Sequence, residues 1–305
     1  MDRSIEKGCL HRKIPVRKRE PVVGITWGDP AGVGPELASH VFRKLGRALT
    51  LRRVGHGESR PGRPSLAGAK LAKEALLESV RLLKSGEIQA VVNGPVSKKG
   101  LGKAGFSFPG QTEFYAKAFG VKPDAVTMMM IGPRLRVALA STHISLRKAV
   151  LGLRSKQIVR SAKHLGDTLK KLGVRRPRIA VCGLNPHAGE NGKFGNEEKR
   201  VVEPAIRELK RKTDFRISGP ESPDAVFRRA WKGEFDGVVA LYHDQGLIPA
   251  KLLDFDETVN VTAGLPVVRC SPDHGTAFNL AGKRKARPNS FLAAVLLARR
   301  LVKQK

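Results

Sequence analysis

Aromatic side chains are scarce in this sequence, at 5% of residues, and cysteine is scarcer, at three positions. With so few rings, a core must be mostly aliphatic, as buried parallel strands prefer. Cys9, Cys182 and Cys270 form no paired motif. That excludes a disulfide scaffold and leads us to expect a reducing, cytoplasmic setting. No apolar run is long enough to span a bilayer, and the basic N-terminal stretch lacks the apolar centre of a secretory signal. Acidic residues are also few: 27 Asp and Glu face 57 Lys and Arg, a formal charge of +30. Such a balance raises the prospect of a nucleic-acid partner. Yet the cations are dispersed, in Arg12 to Arg19, Lys199 to Lys212 and Arg299 to Lys305. They lack the interleaved aromatics that stack bases, and no helix-turn-helix or RNA-binding signature stands out. A solvated basic surface is expected rather than a dedicated nucleic-acid site, and its field would favour anionic ligands.

What is present is an alternation of strand and helix signals. The 305 residues, 41% of them hydrophobic, can bury one large core or two smaller ones. Residues 1–20 read as a disordered basic extension. Strands are expected over Pro21 to Trp27, Ile88 to Val92, Arg178 to Gly183 and Gly237 to Tyr242, with short ones at Val259 to Thr262 and Pro266 to Cys270. Val126 to Ile131 and Leu135 to Ala140, parted by a tight turn, read as a hairpin. Helical spacing marks Pro35 to Leu45, Ala67 to Lys84, Ser155 to Leu172, Glu197 to Lys212, Pro223 to Trp231 and Pro288 to Val302. Residues 46–65, rich in Arg, Gly, Pro and Ser, read as loop. The sum is an α/β sandwich with a mixed sheet.

Three histidines each follow a short apolar run and open a turn-rich loop: His143, His187 and His243. In open α/β sheets ligands bind beyond the carboxyl ends of strands. Three imidazoles delivered there could share one divalent ion and leave positions open for a substrate. Singly, each is more readily a hydrogen-bonded loop residue than a ligand. Asp244 adjoins His243 and is suited to ligate, act as a base or orient an imidazole. Lys251, Asn260 and Arg269 recur at intervals of nine across an expected strand pair, and all suit phosphate or carboxylate oxygens. Gly28-Asp-Pro-Ala-Gly-Val-Gly34 fits neither a dinucleotide nor a Walker fingerprint. Asp273-His-Gly-Thr-Ala277, with the basic Gly282-Lys-Arg-Lys285 after it, could hold the adenosine part of a nucleotide cofactor.

Taken in order, several segments resemble the 4-hydroxythreonine-4-phosphate dehydrogenase family of pyridoxal phosphate biosynthesis. They are Thr26-Trp-Gly-Asp-Pro-Ala-Gly-Val-Gly-Pro-Glu36, Asn93-Gly-Pro-Val-Ser-Lys98, Gly110-Gln-Thr-Glu-Phe114, Ser141-Thr-His143, Gly183-Leu-Asn-Pro-His-Ala-Gly-Glu190, Tyr242-His-Asp-Gln-Gly246 and Asp273-His-Gly-Thr-Ala277. The resemblance implies two α/β/α subdomains with a central cleft, like isocitrate and isopropylmalate dehydrogenases. The expected division is 21–105 plus 275–305 for the first and 106–274 for the second, which carries the metal and substrate site. It further implies a homodimer with a shared active site, no membrane association, and a divalent ion (Zn, Co, Mg, Mn or Ni) on His143, His187 and His243, one of them from the partner subunit. Substrate contacts would fall to Gln111, Thr112, Lys251, Asn260 and Arg269, and NAD contacts to Gly275, Thr276 and Ala277. Asp244 and Asp224 become the catalytic candidates. The implied reaction is NAD-dependent oxidation of 4-hydroxythreonine 4-phosphate at C3, then decarboxylation to 3-amino-2-oxopropyl phosphate. Threonate or erythronate 4-phosphate is the alternative substrate; a dihydrodiol carboxylate comes third, and a silent basic relative binding nucleic acid is the reading from another class. Three departures from the family pattern stand out. Gln111 replaces a usual His and cannot become cationic. The span from Glu36 to Gly86 is short, as though a strand–helix unit near 46–66 were reduced or lost. Extra cations in Gly282-Lys-Arg-Lys285 would favour a 2′-phosphate, hence NADP.

Overall fold

A computed structural model of the chain describes residues 20–302. The expected basic extension therefore lies, apart from Glu20, outside the described residues. Along the chain run β1 (Val23–Thr26), α1 (Gly34–Leu45), β2 (Leu51–Val54), α2 (Leu66–Lys84), β3 (Ala90–Asn93), α3 (Lys98–Lys103) and α4 (Gln111–Ala118). Then come β4 (Thr127–Ile131), β5 (Arg136–Leu139), α5 (Leu146–Leu151), α6 (Ser155–Lys171) and β6 (Arg178–Cys182). The rest is α7 (Glu203–Lys212), β7 (Arg216–Glu221), α8 (Pro223–Trp231), β8 (Gly237–Ala240), α9 (His243–Asp254), β9 (Val259–Ala263), β10 (Val268–Pro272) and α10 (Asn289–Val302).

All ten strands join one mixed sheet in the order β2-β1-β3-β10-β9-β4-β5-β8-β6-β7. β1, β2, β3 and β10 are parallel to one another. So are β5, β8, β6 and β7. Between them β9 and β4 make three successive antiparallel pairings. The two parallel halves therefore run in opposite senses, and their carboxyl ends open on opposite edges. Strands β1, β3 and β8 are buried at every position, as expected where helices cover both faces. Helix α6 buries Ile158, Ala162, Leu165 and Leu169, one stripe at helical spacing. The Ser65 hydroxyl caps α2 by accepting from the Gly68 amide at 3.1 Å.

Two expectations are corrected, and one strand is added. Residues 46–65 are not all loop: Leu51–Val54 is a strand, in register with Val23–Thr26. The strand of that short region is thus retained. Arg216–Glu221, to which no element was assigned from the sequence, is a strand at one edge of the sheet, where a missing amide is tolerated. Lys251 does not lie on a strand pair but on α9, a helix disguised in the sequence by Gly246 and Pro249.

Candidate active site

Strands β5, β8 and β6 are neighbours and parallel, so the loops after them leave one edge of the sheet. They carry His143, His243 and His187. The first two meet, with ring centroids 5.4 Å apart and planes at 47°. His243 opens α9, and Gly246 lets that helix approach the sheet: a Cβ there would meet Leu139 and Val137 side chains at 2.7 and 2.8 Å. The buried Gln245 amide accepts from the Leu241 N–H at 2.6 Å and donates to the Gly183 carbonyl at 2.8 Å. It ties the start of α9 to the end of β6. Asp244 Oδ1 lies 2.6 Å from His243 Nδ1, which leaves Nε2 free. A carboxylate that fixes tautomer and orientation is the common support of a ligating imidazole. Partial desolvation, then the charges of Lys98 and His243, push the His143 pKa below its usual 6.5, favouring the neutral form that binds metals. Two imidazoles on one ion, at bonds of about 2.0–2.1 Å and a tetrahedral angle, have centroids roughly 5 Å apart. The His143–His243 pair fits that requirement.

His187 does not join them. It begins a left-handed turn in which His187, Ala188, Gly189, Glu190 and Asn191 all have positive φ. Left-handed backbone costs about 1–2 kcal/mol for each residue other than glycine, and such outliers gather at functional sites. The ring lies against Phe194, centroids 6.4 Å apart. Nearby, a hydrogen bond from the Ser222 hydroxyl, aided by the backbone and by the His187 charge, holds Asp224 below the usual carboxylate range. Asp244 thus belongs with His243, and Asp224 with His187. Among the described residues no three His, Cys, Asp or Glu side chains converge closely enough to hold a metal ion.

A second cluster is built around Arg269, which is 4% exposed. Arg269 lies opposite Thr262 in the β9–β10 pair, and Asn260, two residues before Thr262, shares its face. Nε of Arg269 donates to Asn93 Oδ1 at 2.8 Å, Nη1 to Thr262 Oγ1 at 3.2 Å and Nη2 to Gln111 Oε1 at 2.9 Å. Asn93 in turn donates to the buried Tyr115 hydroxyl at 2.8 Å, and Thr112 Oγ1 lies 3.4 Å from Thr262 Oγ1. All three acceptors are neutral. Burial pushes the guanidinium pKa down, yet arginine stays charged in proteins, and this cation makes no ion pair among the described residues, Glu113 acting on it only at longer range. Asn260 Oδ1 is buried without a partner among them. The Glu113 charge acts on both Arg269 and His143. Sequence reasoning assigned Gln111, Thr112, Asn260 and Arg269, and they converge. It missed Asn93, Thr262 and Glu113, whose only signal was their position in the matching segments and on the strand.

Lys251 stands apart, its Nζ 2.9 Å from Asp273 Oδ2. Asp273 helps to line a third feature, a cavity of about 290 Å³. Val33, Leu37, Leu280 and Ala286 give it apolar walls, and Lys285 and Arg287 also line it. His274 Nδ1 lies 3.1 Å from the Gly275 carbonyl. Nε2 is buried with no partner among the described residues, an acceptor awaiting a donor. Of the three residues expected to hold the cofactor, Ala277 lines the cavity. The Thr276 carbonyl instead accepts from the Val33 amide at 2.9 Å, locking the glycine-rich turn before α1, and Gly275 has open space where a Cβ would be.

Over most of its length the chain is similar to known dehydrogenases. Among curated sequences, a 4-hydroxythreonine-4-phosphate dehydrogenase of Erythrobacter litoralis is 40% identical, covering 90% of this chain and 95% of the relative. That alignment runs over 320 positions although the chain has 305 residues, so the relative carries segments absent here. A D-threonate 4-phosphate dehydrogenase of Pectobacterium atrosepticum is 37% identical, covering 92% of this chain and 99% of the relative. Among solved structures, a 4-hydroxythreonine-4-phosphate dehydrogenase from Klebsiella pneumoniae superposes with a TM-score of 0.79 at 33% identity, over 92% of this chain and 99% of that one. A β-decarboxylating dehydrogenase from Thermococcus kodakarensis, at 17% identity and a TM-score of 0.54 over 92% and 83%, shares the fold. Residues 33–298 match the family profile described as pyridoxal phosphate biosynthetic protein PdxA, and the chain belongs to that family.

Proposed function

We propose that this chain oxidises 4-hydroxythreonine 4-phosphate at C3 with NAD and a divalent ion, the product then losing its carboxylate as CO2 to leave 3-amino-2-oxopropyl phosphate. The observation that carries the reading is a buried Arg269 without an ion-pair partner, together with a pair of imidazoles spaced for one ion, the Glu113 charge reaching both. An unpaired buried cation calls for an anion, and Arg269 with Gln111, Thr112 and Asn260 offers donors and an acceptor for a substrate bearing charged and polar groups. His143 and His243 would hold the ion, with His187 of the partner subunit as third ligand. Bound there, the ion would polarise the C3 hydroxyl and favour its ionised form. Asp244 keeps the His243 ring oriented through Nδ1. Asp224, ionised at neutral pH and with Oδ2 free of the Ser222 bond, is suited to accept the hydroxyl proton. The cavity behind His274 suits an adenine, whose amino group would meet Nε2, and NAD would take up the hydride.

An apolar surface supports the homodimer. Leu151 and Leu252 are 67% and 80% exposed, and Ile144, Leu146, Ile248 and Phe255 are exposed as well. They flank His143 on one side and follow His243 along α9 on the other, and such patches mark interfaces. A second copy seated there would bring a third ligand to the pair.

The test is NADH formation with 4-hydroxythreonine 4-phosphate, with and without EDTA. Turnover that EDTA abolishes and a divalent ion restores is expected. Turnover with D-threonate 4-phosphate alone would transfer the reading to that substrate. Absence of turnover with both, in folded, dimeric, metal-loaded protein, would sink it.

A further inference from the structure

We infer that Glu198 is a positioning residue that holds the left-handed turn and so aims His187; the inference rests on His187 being a metal ligand. Glu198 is 4% exposed, and no cation pairs with it among the described residues. It stands in the single π-turn Glu198–Val202 that leads into α7, a form that often marks functional sites. Its Oε1 accepts the Leu184 and Asn185 amides at 2.7 and 2.8 Å, and its Oε2 accepts Asn185 Nδ2 at 2.9 Å. These three bonds grip the two residues just before Pro186-His187. The far side of the turn closes on the same carboxylate. A Cβ on Gly189 would meet Glu198 Oε2 at 2.6 Å, and one on Gly183 would meet Ala188 Cα at 2.7 Å.

The turn thus has one buried carboxylate at its centre and glycine wherever the backbone approaches closest. A carboxylate satisfied by two backbone amides and a side-chain amide is a rigid support, because each bond is charge-assisted. Without it, four residues other than glycine would be free to leave the left-handed region, which isolated chains avoid. His187 is one of them, so its ring would lose its direction. Neither Glu198 nor its bonds touch His143, His243 or the Arg269 cluster.

The experiment is a double-mutant cycle on divalent-metal affinity, measured by calorimetry with Zn²⁺ or Mn²⁺ on stripped, dimeric protein. His187→Ala, Glu198→Gln and the double variant are compared with the parent. Supports of metal ligands typically change affinity about 10–100-fold when altered. Glu198→Gln keeps one acceptor oxygen for the two backbone amides, so a loss of roughly tenfold is expected, and Glu198→Ala, where it folds, should lose more. In the His187→Ala background Glu198→Gln should add less than about twofold, because the support acts through the lost ring. A crystal structure of metal-free Glu198→Gln should show residues 187–191 departing from positive φ. Unchanged affinity in Glu198→Gln, or the same loss in both backgrounds, overturns the inference and leaves the metal reading intact. Unchanged affinity in His187→Ala overturns the ligand role of His187, and this inference with it.

Discussion

Replacing Arg269 with methionine should nearly abolish substrate binding while changing stability little. The guanidinium is almost fully buried, and its three bonds go to the neutral oxygens of Asn93, Thr262 and Gln111. Moving a cation out of water without a counter-ion carries a penalty of several kcal/mol. Hydrogen bonds that involve a charged group return about 1.5–3 kcal/mol each. The two terms nearly cancel, and methionine, of similar length, fills the space without the charge. A net change within about 2 kcal/mol follows, which in a chain of this size shifts the melting temperature by roughly 4–8 °C at most. Binding has no such cancellation. Removing one partner of a buried charged pair costs about 2–5 kcal/mol, a loss of roughly 30- to 4,000-fold in affinity. The assay pairs steady-state kinetics with thermal melting in the presence and absence of inorganic phosphate. The parent should melt higher in phosphate, since an anion bound to the folded form alone stabilises it; Arg269→Met should not respond, and its KM should rise by the factor above. A variant that melts more than 15 °C lower yet keeps its KM within threefold would show that Arg269 serves the fold, and would refute the anion argument.

Other expectations can be checked separately. Lys285 lines the cavity, whereas Arg287 beside it is paired with Asp256 at 3.0 Å; Lys285→Ala should lower kcat/KM for NADP about tenfold and for NAD less than twofold, the weight of one charge-assisted contact. Leu252→Asp puts a charge on the exposed flank of α9, and sedimentation should show monomer with metal affinity lost in parallel; a metal-binding monomer would contradict the shared site. Burial raises the Asp236 pKa, but hydrogen bonds from the Arg178 side chain and backbone outweigh it and leave it below 3.8. Its stabilisation is therefore present above the unfolded value and lost as pH falls through the folded one. The urea midpoints of parent and Asp236→Asn should differ at pH 7 and converge as pH falls below the usual carboxylate range.

Much of the fold could be read from the chain because most of its strands are short and mainly buried and its helices keep one buried stripe. Pro223–Trp231 coincides with the expected helix, and Thr127–Ile131 with Arg136–Leu139 forms the expected hairpin. Where reading failed, local chemistry pointed one way and packing another. Gly246 and Pro249 argue against a helix at 243–254. In the structure Gly246 is there because α9 lies too close to Val137 and Leu139 for a side chain, a tertiary demand invisible along the sequence. Residues 51–54 carry two arginines and little apolar pattern, and become a strand only because β1 offers a free edge.

The site divides the same way. Residue type and position marked His143, His243, Asn260 and Arg269, since imidazole, amide and guanidinium have few uses at strand ends, whereas Gln111 was marked only by the family resemblance. The groups that give them direction carry no such mark. Asn93 reads as a turn residue, and Glu198 as one more charge on a helix. Their roles depend on burial: a carboxylate in water is ordinary, whereas one at 4% exposure must be satisfied by the backbone around it. Lys251 shows the converse. Its type suits phosphate, but its distance of 2.9 Å to Asp273 places it by the cavity, where it joins the end of α9 to the loop after β10. One helix of 12 residues, about 18 Å long, thus carries His243 at one end and reaches the cavity wall at the other. A rigid movement of α9 would therefore be felt in both places, at the imidazole and at the Lys251–Asp273 pair.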